Sequence, residues 1–524
     1  MNNKNLPLLM NQSKKGRKAI SLPEIGVEKS SLPKDKFLRN NIDLPEVGQL
    51  DLIRYFTNLS SMNFSIDTNF YPLGSCTMKY NPKINEQLSS IQGFANAHPN
   101  QLDENIQGCL EVMYDLQNEL GEITGLPGVS LAPLAGAQGE YAGLLIAREF
   151  HKYNGNDNKK IALIPDSAHG TNPASASMAG LEAVTIKTTL EGDIDLDDLK
   201  SKVNQDTAVL MLTLPSTLGL FEPNIIEITE IIHDNGGLVY ADGANLNALL
   251  GITKFGELGI DICHSNLHKT FSTPHGGGGP GAGPVMVTKS LESFLPYPHV
   301  KKDKSNYETY KPKNSIGRLN GFLGSFGIVL RAYAYIRSLG SQGLREISEN
   351  AIINANYIQE KLKSHYTLTS SRNCMHETVL SAIKQKENGI KALDIAKKLL
   401  DEGFHAPTMY FPLIVEEALM IEPTESESLS EIDRFCDAMI SIRNEIKDIE
   451  EGKVSNQDNL LKNSPHCAKT LIQQEWNHPY TRAEAALPTK GLHENKYWPP
   501  IGRVDNVYGD RNLICSCPSM EDFE

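Results

Sequence analysis

Short apolar runs alternate with amphipathic segments through the middle of the chain. Apolar and β-branched side chains dominate six runs, at residues 161–165, 183–187, 208–214, 238–241, 260–264 and 285–288. Segments with apolar residues at helical spacing lie between these runs. One ends near Met178, and two others cover residues 196–203 and 225–234. Buried strands that alternate with helices are typical of a mostly parallel sheet covered on both faces. The pattern therefore predicts an α/β fold with a large, mostly parallel sheet.

The amino-terminal side of this region has a different pattern. Residues 1–60 are polar, basic at first and interrupted by prolines, so we predict an arm that would not fold alone. Residues 70–81 are rich in hydrogen-bonding side chains and predict a structured loop of functional character. Helical spacing covers residues 105–124, and a second helix begins after the small residues at 135–137 and continues to Phe150.

The carboxyl-terminal side predicts a second, smaller α/β unit. Long helical segments at residues 322–338 and 343–365 precede three strand-like runs at 366–369, 378–382 and 418–421. The polar residues 448–464 predict a linker, and the last segment, which holds both tryptophans, is mostly loop and covers another surface. We therefore predict an arm (1–60), a large domain (61–315), a small domain (316–447), and a linker with a C-terminal extension (448–524).

Composition and charge argue against several classes of protein. The 50 Lys and Arg residues against 64 Asp and Glu residues give a net charge of -14, without a long basic stripe, so we expect no nucleic-acid partner. No run reaches the ~18 apolar residues of a membrane span. Eight scattered cysteines without a secretory leader predict reduced thiols in the cytoplasm. Cys515 and Cys517 are only half of a zinc site, so we expect structural thiols and no metal centre.

Chemically active side chains follow several of the predicted strands. In parallel sheets ligands collect beyond the carboxyl ends of the strands, where the sequence places His169, Asp242 and Lys269. A pyridoxal phosphate enzyme needs a lysine for the Schiff base, an acid opposite the pyridine nitrogen, a flat side chain over the ring and an anion cradle. Lys269, Asp242 and His169 match the first three needs, and the helix start at 136–138 matches the fourth.

Each of these residues also has an ordinary interpretation. An aspartate after a strand is more often a helix cap, a lone histidine usually has a structural role, and a single lysine is nearly always solvated. The glycine-rich run at 276–283 follows the lysine and lacks the Gly-Lys-Ser/Thr ending of a nucleotide P-loop. Their joint placement at the carboxyl ends of one βα series is what favours a cofactor site.

The segment 264–284 resembles the cofactor-lysine segment of the glycine decarboxylase P-protein of the glycine cleavage system. It carries His-Lys-Thr-Phe at 268–271, Pro-His at 274–275 and four consecutive glycines. Further segments resemble the family in order: 70–81, 135–144, 166–176, 216–219, 315–318, 405–408, 421–425 and 498–518. The chain is similar to subunit 2 of the bacterial two-subunit form, which carries the lysine. The resemblance implies the pyridoxal phosphate-dependent fold type I, which is aspartate aminotransferase-like.

The resemblance also implies an activity and its partners. Lys269 would hold pyridoxal phosphate, glycine would lose CO2, and the aminomethyl group would pass to the lipoyl-lysine of H-protein. Subunit 1 would be the partner chain, with T-protein and L-protein acting in the same system.

Other residues gain an expected role by family position. His169 would stack on the ring, and Gly136, Ala137 and Gln138 would meet the phosphate. Asn266 and His268 would complete the pocket. Leu214 stands where many enzymes of this fold have an Asn, so Ser216, Thr217 or a residue elsewhere is expected to supply that contact.

Two alternatives remain open at this stage. One is another fold type I pyridoxal phosphate enzyme, an aminotransferase or a lyase, that acts alone. The other is a cofactor-free scaffold subunit, against which Lys269 and Asp242 argue.

Overall fold

The computed structural model describes residues 7–24, 26–28, 31, 33–39, 42–276, 281–493 and 496–513. Cys515 and Cys517, for which structural thiols were expected, lie outside the described residues. None of the described helices combines the length and apolarity needed to cross a membrane.

Seven strands form the large sheet: β1 (Gly128–Ser130), β2 (Ile161–Pro165), β3 (Glu182–Ile186), β4 (Thr207–Thr213), β5 (Leu238–Asp242), β6 (Ile262–His264) and β7 (Val285–Val287). Their order is β1-β7-β6-β5-β4-β2-β3. Strand β7 is antiparallel to both neighbours, and the other pairs are parallel. The six predicted strands are confirmed to within two residues, whereas β1 was not predicted.

The helices are α1 (Gln49–Ser60), α2 (Lys83–Ser89), α3 (Gln92–Ala95), α4 (Gln107–Thr124), α5 (Gly136–Tyr153), α6 (Thr171–Met178), α7 (Leu196–Lys202), α8 (Ile225–Asp234), α9 (Phe326–Leu362), α10 (Ile383–Lys386), α11 (Ala392–Asp401), α12 (Leu429–Glu450), α13 (Leu460–Asn463), α14 (Ala468–Leu471), α15 (Arg482–Ala486) and α16 (Asn506–Arg511). Helix α9 contains a break at Gly340, whose φ is 64°. The break accounts for the two separate helical segments that the sequence predicted there.

Apolar cores cover both faces of the large sheet. Alternate residues of β5 point to opposite sides, so Val239 and Ala241 join one core while Leu238 and Tyr240 join the other. The first core includes side chains of α4, α8 and α9, and the second includes side chains of α5 and α6. This packing explains why the strands are continuous apolar runs rather than alternating ones.

The strand register places three polar side chains next to one another. Thr213 pairs with Asp242 across β4 and β5, and Asp242 pairs with His264 across β5 and β6. Each of the three is the last residue of its strand, so their side chains meet at the carboxyl edge of the sheet.

A smaller antiparallel sheet belongs to a third apolar core, separate from the two that cover the large sheet. It contains β10 (Thr367–Leu368), β11 (Thr378–Ser381), β12 (Thr408–Met409) and β13 (Ala418–Ile421), in the order β10-β11-β13-β12. Side chains of α9, α11 and α12 pack with it in one apolar cluster that includes Phe404 and Phe435. Phe70, at the start of the predicted loop, contacts both rings, with centroid distances of 6.3 and 5.3 Å. The loop at 70–81 is therefore anchored in the smaller core.

Two regions differ from the sequence expectation. A hairpin of β8 (His299–Asp303) and β9 (Asn306–Tyr310) was not predicted, because its strands are largely exposed and polar. In the predicted linker, α12 continues to Glu450 and α13 forms after a short polar turn. The C-terminal extension packs back on α11, where Arg503 pairs with Asp394 at 2.6 Å.

Candidate active site

A cavity of about 140 Å³ opens at the carboxyl edge of the large sheet. It brings together residues that are far apart in sequence. Its walls are formed by Ser75, Gly136, Ala137, Glu140, His169, Thr171, Thr213, Thr217, Asp242, Ala244, Asn245, His264, Asn266 and Lys269. The carboxyl edge is where the sequence analysis expected a ligand.

Lys269 is held at the cavity by the turn that follows β6. The Lys269 N–H donates to the Asn266 carbonyl at 3.0 Å, and the Leu267 N–H donates to the Ala282 carbonyl at 3.1 Å. Leu267 and Phe271 are completely buried. Because apolar side chains anchor the turn on both sides of it, Lys269 has a defined place beside the cavity.

Asp242 is a buried carboxylate with several partners that favour its ionised form. It accepts hydrogen bonds from the Asn172 amide at 3.1 Å and from the Ala244 N–H at 3.0 Å. Burial raises the pKa of Asp242, but His264, these two donors and Lys269 together outweigh burial and hold the pKa below its ordinary value. The site therefore contains a carboxylate that is charged at neutral pH.

A buried tyrosine and histidine stand behind Asp242. The Tyr240 hydroxyl lies 2.5 Å from Nδ1 of His264, and Nε2 of His264 lies 3.5 Å from a carboxylate oxygen of Asp242. All three are almost inaccessible to solvent. The sequence analysis did not identify Tyr240 or His264, although His264 ends a predicted strand. Together, Tyr240 and His264 fix the orientation of the Asp242 carboxylate.

His169 lies on the cavity wall with one ring nitrogen already engaged. Its Nδ1 lies 2.8 Å from the Thr171 hydroxyl, which donates to Glu140 at 2.8 Å. The buried Glu140 also accepts from Ser175 at 2.9 Å. The ring of Phe411 meets that of His169 edge-on at 5.3 Å. The imidazole is therefore fixed in orientation, as a ring that packs against a flat ligand would have to be.

The amino-terminal end of α5 faces the cavity without a side-chain cap. Ala135 precedes the helix in an extended conformation and makes no capping hydrogen bond. The first turn of a helix leaves its backbone N–H groups without intrahelical partners, and these groups attract anions. A Cβ on Gly136 would lie 2.5 Å from Oδ1 of Asn266. That buried oxygen has no hydrogen-bond partner among the described residues.

Three predicted site residues do not line the cavity. The side chain of Gln138 accepts from the Leu134 N–H at 2.7 Å and donates to the Leu319 carbonyl at 3.1 Å, so only its backbone remains available. His268 packs against His275 at 5.1 Å, and burial, His275 and Lys269 lower its pKa to about 3. Ser216 is also outside the lining, whereas Thr217 is part of it. Of the two residues expected to replace the Asn contact, Thr217 is the better placed.

The loop at 70–81 reaches the cavity and carries backbone strain. Ser75, which lines the cavity, and Thr77 have φ values of 62° and 48°, which non-glycine residues rarely adopt. The Ser75 N–H donates to Glu377 at 2.6 Å, and the Thr77 N–H donates to Glu422 at 3.0 Å. The sequence pointed to the loop. It did not point to these two glutamates, because they come from the smaller sheet.

The residues present fit pyridoxal phosphate. Lys269 supplies an amine, Asp242 a buried charged carboxylate and His169 an oriented ring, while α5 supplies an uncapped amino-terminal end. These are the groups that hold and activate this cofactor in other enzymes. The unpartnered oxygen of Asn266 offers one further acceptor at the same place.

Comparison with known proteins agrees with this assembly. The family described as "Glycine dehydrogenase, C-terminal domain" matches residues 347–466, and "Aminotransferase class-V" matches residues 144–406. A Staphylococcus saprophyticus protein named "Probable glycine dehydrogenase (decarboxylating) subunit 2" is 55% identical over 450 residues, 85% of this chain and 92% of that protein. Its Staphylococcus epidermidis counterpart is 54% identical over 502 residues, 95% of this chain and 98% of that protein.

A solved structure shares the fold. The structure titled as glycine decarboxylase (P-protein) of the glycine cleavage system, in inhibitor-bound form, has a TM-score of 0.66 at 20% identity, covering 78% of this chain and 92% of that chain. The predicted aspartate aminotransferase-like fold is therefore confirmed. Because the two staphylococcal relatives are more than half identical to it over most of its length, the chain belongs to the family of glycine dehydrogenase (decarboxylating) subunit 2.

Proposed function

We propose that this chain is the pyridoxal phosphate-bearing subunit of a two-subunit glycine dehydrogenase. It decarboxylates glycine, releases CO2 and transfers the aminomethyl group to the lipoyl-lysine of H-protein. The observation that carries the proposal is the convergence of Lys269, Asp242 and His169 on one cavity beside the uncapped end of α5. Membership of the family gives that cavity its substrate.

Each residue has a defined task in this proposal. Lys269 would hold the cofactor through its amine. The bound cofactor supplies an electron sink for the carbanion that loss of CO2 leaves. Asp242, ionised, keeps a proton on the ring nitrogen by charge pairing. His169, fixed by Thr171, packs against the ring.

The phosphate contacts come from backbone rather than from charged side chains. The first N–H groups of α5, at Gly136 and Ala137, bind the phosphate, with the backbone of Gln138 completing the turn. Thr217 and Asn266 flank this position on the cavity wall. Ser216 and His268 are not part of the cavity lining.

The proposal includes partners and a compartment. Subunit 1 completes the enzyme, lipoylated H-protein receives the aminomethyl group, and T-protein and L-protein process that group and reoxidise the lipoyl arm. Reduced buried cysteines, such as Cys263 and Cys436, support placement in the cytoplasm.

Exchange of labelled bicarbonate into glycine tests the function. With subunit 1 and lipoylated H-protein present, we expect label in glycine. H-protein that lacks the lipoyl group is the matched control and should give at least tenfold less exchange. Bound cofactor without exchange, together with turnover of another amino acid, would support a stand-alone enzyme of the same fold. Failure of the chain to bind the cofactor would support a scaffold subunit.

A further inference from the structure

Glu377 and Glu422 face each other across the smaller sheet. Strands β11 and β13 are antiparallel, with Thr378 opposite Ile421. Glu377 precedes Thr378 and Glu422 follows Ile421, so the same register puts the two glutamates opposite each other. One carboxylate oxygen of each glutamate and one ring nitrogen of His376 lie within 4.8 Å of one another. Both glutamates are almost completely buried, at 2% and 0% exposure.

Two ionised carboxylates cannot share such a place without a large cost. Like charges directly opposite each other in a sheet are destabilising, and burial increases the penalty. Burial and Glu422 raise the pKa of Glu377 well above its ordinary value. Burial also raises the pKa of Glu422 to about 7, although hydrogen bonds from Thr77 and the charge of Lys269 oppose the rise. At neutral pH the Glu377–Glu422 pair therefore retains a proton.

The groups that face this pair include the reactive lysine. Lys269 lines the same cavity as Ser75, whose N–H donates to Glu377, and its charge lowers the pKa of both glutamates. His376 stays neutral, because burial and Lys269 lower its pKa to about 3. Neither of its ring nitrogens has a hydrogen-bond partner among the residues described. Cys76 lies on the loop at 70–81, between Ser75 and Thr77. Burial raises the pKa of its thiol, and the charge of Lys269 opposes that rise. The amine of Lys269 is thus the basic group on the cavity wall beside the pair.

The proposed reaction consumes one proton in each turnover. Glycine loses CO2, and its carbon forms a bond to one lipoyl sulfur while the disulfide bond breaks. The carbon is oxidised and the disulfide is reduced, so the second sulfur leaves as a thiolate. That thiolate needs a proton to become the thiol, and the consumed proton comes ultimately from solvent. This step rests on the function proposed above.

We infer that Glu377 and Glu422 hold one proton between them and give it to the amine of Lys269, which passes it to the departing lipoyl thiolate. The carboxylic acid becomes a carboxylate as the amine becomes an ammonium. The ammonium then loses the proton to sulfur, and the pair takes up a new proton from water. Because they act through Lys269, the two glutamates are positioning residues for proton transfer.

The same pair connects this proton to the shape of the cavity. Glu377 accepts from Ser75, which lines the cavity, and Glu422 accepts from both the N–H and the hydroxyl of Thr77, the latter at 2.7 Å. Asn245, also on the cavity wall, donates to the Thr77 hydroxyl at 2.8 Å. A change in either carboxyl therefore alters the hydrogen bonds that hold the wall.

Glu377→Gln is the variant that tests the inference. Glutamine can still accept from Ser75 and donate to Glu422, but it removes the shared proton. In single-turnover transfer to lipoylated H-protein, we expect at least a tenfold lower rate at pH 7.5 with unchanged cofactor content. On the alkaline side, the pH at which the transfer rate falls should be at least one unit lower in Glu377→Gln than in the wild type. Glu422→Gln should show the same changes in rate and pH profile. It replaces Glu377→Gln as the test if Glu377→Gln does not fold.

The matched control is Glu402→Gln. Glu402 is also buried in the smaller domain, and burial raises its pKa to about 7, but it lies outside the cavity. It should leave the rate profile unchanged. An unshifted profile in Glu377→Gln, or a profile shifted equally by Glu402→Gln, would overturn the inference. So would a stoichiometric metal ion bound by the wild-type protein and lost from Glu377→Gln.

Infrared spectroscopy separates this inference from the proposed function. The cofactor-free wild-type protein at pH 7.5 should show, in the carbonyl stretch of protonated carboxylic acids, a component that disappears in Glu377→Gln. Glu402→Gln, which removes a different carboxyl of raised pKa, should leave that component in place. Absence of that component would overturn the shared proton even if glycine exchange is active. Absence of glycine exchange in the wild type would reject the proposed function while the component still decides whether the proton is shared.

Discussion

Two buried carboxylate sites on the large and the small sheet have opposite ionisation states. Asp242, at the end of β5, is surrounded by donors and by His264, and its pKa lies below the ordinary value. Glu377 and Glu422, at facing ends of β11 and β13, have each other as neighbours, and their pKa values lie above the ordinary one. Burial acts in the same direction at both sites. At Asp242 the neighbours outweigh burial, and at the two glutamates they do not.

The difference assigns a separate role to each site around one lysine. A carboxylate that stays charged suits charge pairing with a protonated ring nitrogen, whereas a carboxyl that stays protonated suits proton donation. Environments that push the pKa values of acidic groups apart are how other enzymes divide acid and base work. Lys269 lowers the pKa at both sites, so its charge couples them.

Removal of Lys269 should have the largest effect. Lys269→Ala deletes the amine that both carboxylate sites face, so glycine exchange should fall by more than about 10³-fold. The visible absorbance of the lysine-bound cofactor should disappear. Lys254→Ala is the control, because Lys254 forms an exposed pair with Glu122, and it should retain activity within about twofold. An active Lys269→Ala enzyme would end this assignment.

Asp242→Asn should have the next largest effect. The amide has the shape of the carboxylate but cannot ionise, so exchange should fall by about 10²- to 10³-fold while cofactor still binds Lys269. Asp261→Asn is a matched control. Asp261 directly precedes β6, accepts from the Val239 N–H at 2.8 Å and pairs with His233, at the opposite edge of the sheet. Equal losses in both variants would show that the effect of Asp242→Asn is on folding.

Much of the large-sheet site could be predicted from the sequence, because its residues follow apolar runs. Asp242 ends a run that is buried on both faces, and Lys269 follows another, so one rule about parallel sheets places both. The side chains of Gln138 and His268 do not line the cavity, because the rule gives the edge of the sheet and not the direction of a side chain. Their expected roles at the phosphate and in the pocket stay predictions. The partners Tyr240 and Glu140 had no distinguishing pattern.

The small-sheet site could not be predicted in the same way. Glu377 and Glu422 meet only because β11 and β13 pair in one register, and pairing between separated strands is not written in local composition. Each alone resembles an exposed surface glutamate. The short strands β1 and β12 were not predicted. The domain boundaries at 60, 315 and 447 remain predictions.

The two sites should give the stability of the protein opposite pH dependences. Asp242 has a lowered pKa, so it contributes stability above the ordinary value of 3.8 that is lost as pH falls. Glu422 has a raised pKa, so its contribution is complete below 4.5 and is lost as pH rises through about 7. The slope for one proton is at most about 1.4 kcal/mol per pH unit.

Denaturant unfolding of the cofactor-free variants between pH 5 and 8 would measure this contrast. Glu377→Gln should gain in free energy of unfolding relative to wild type as pH rises. The difference between Asp242→Asn and wild type should stay constant over that range and change only at lower pH. If both differences are flat, the two sites do not differ in ionisation as described.

Gly136→Ala should have the smallest effect, confined to the cradle at the end of α5. The new Cβ would lie 2.5 Å from Oδ1 of Asn266, so Asn266 must move, and pyridoxal phosphate should bind about tenfold more weakly, equivalent to about 1.4 kcal/mol. Gly170→Ala is the control, because a Cβ added there, at the start of α6, would have no described atom within 4 Å. Cofactor titration followed by fluorescence gives both affinities. Neither variant touches Asp242 or the Glu377–Glu422 pair, so both should keep the wild-type dependence of stability on pH. Equal affinities in the two variants would mean that the helix end does not bind the phosphate, and the anion site would have to be sought near Thr217.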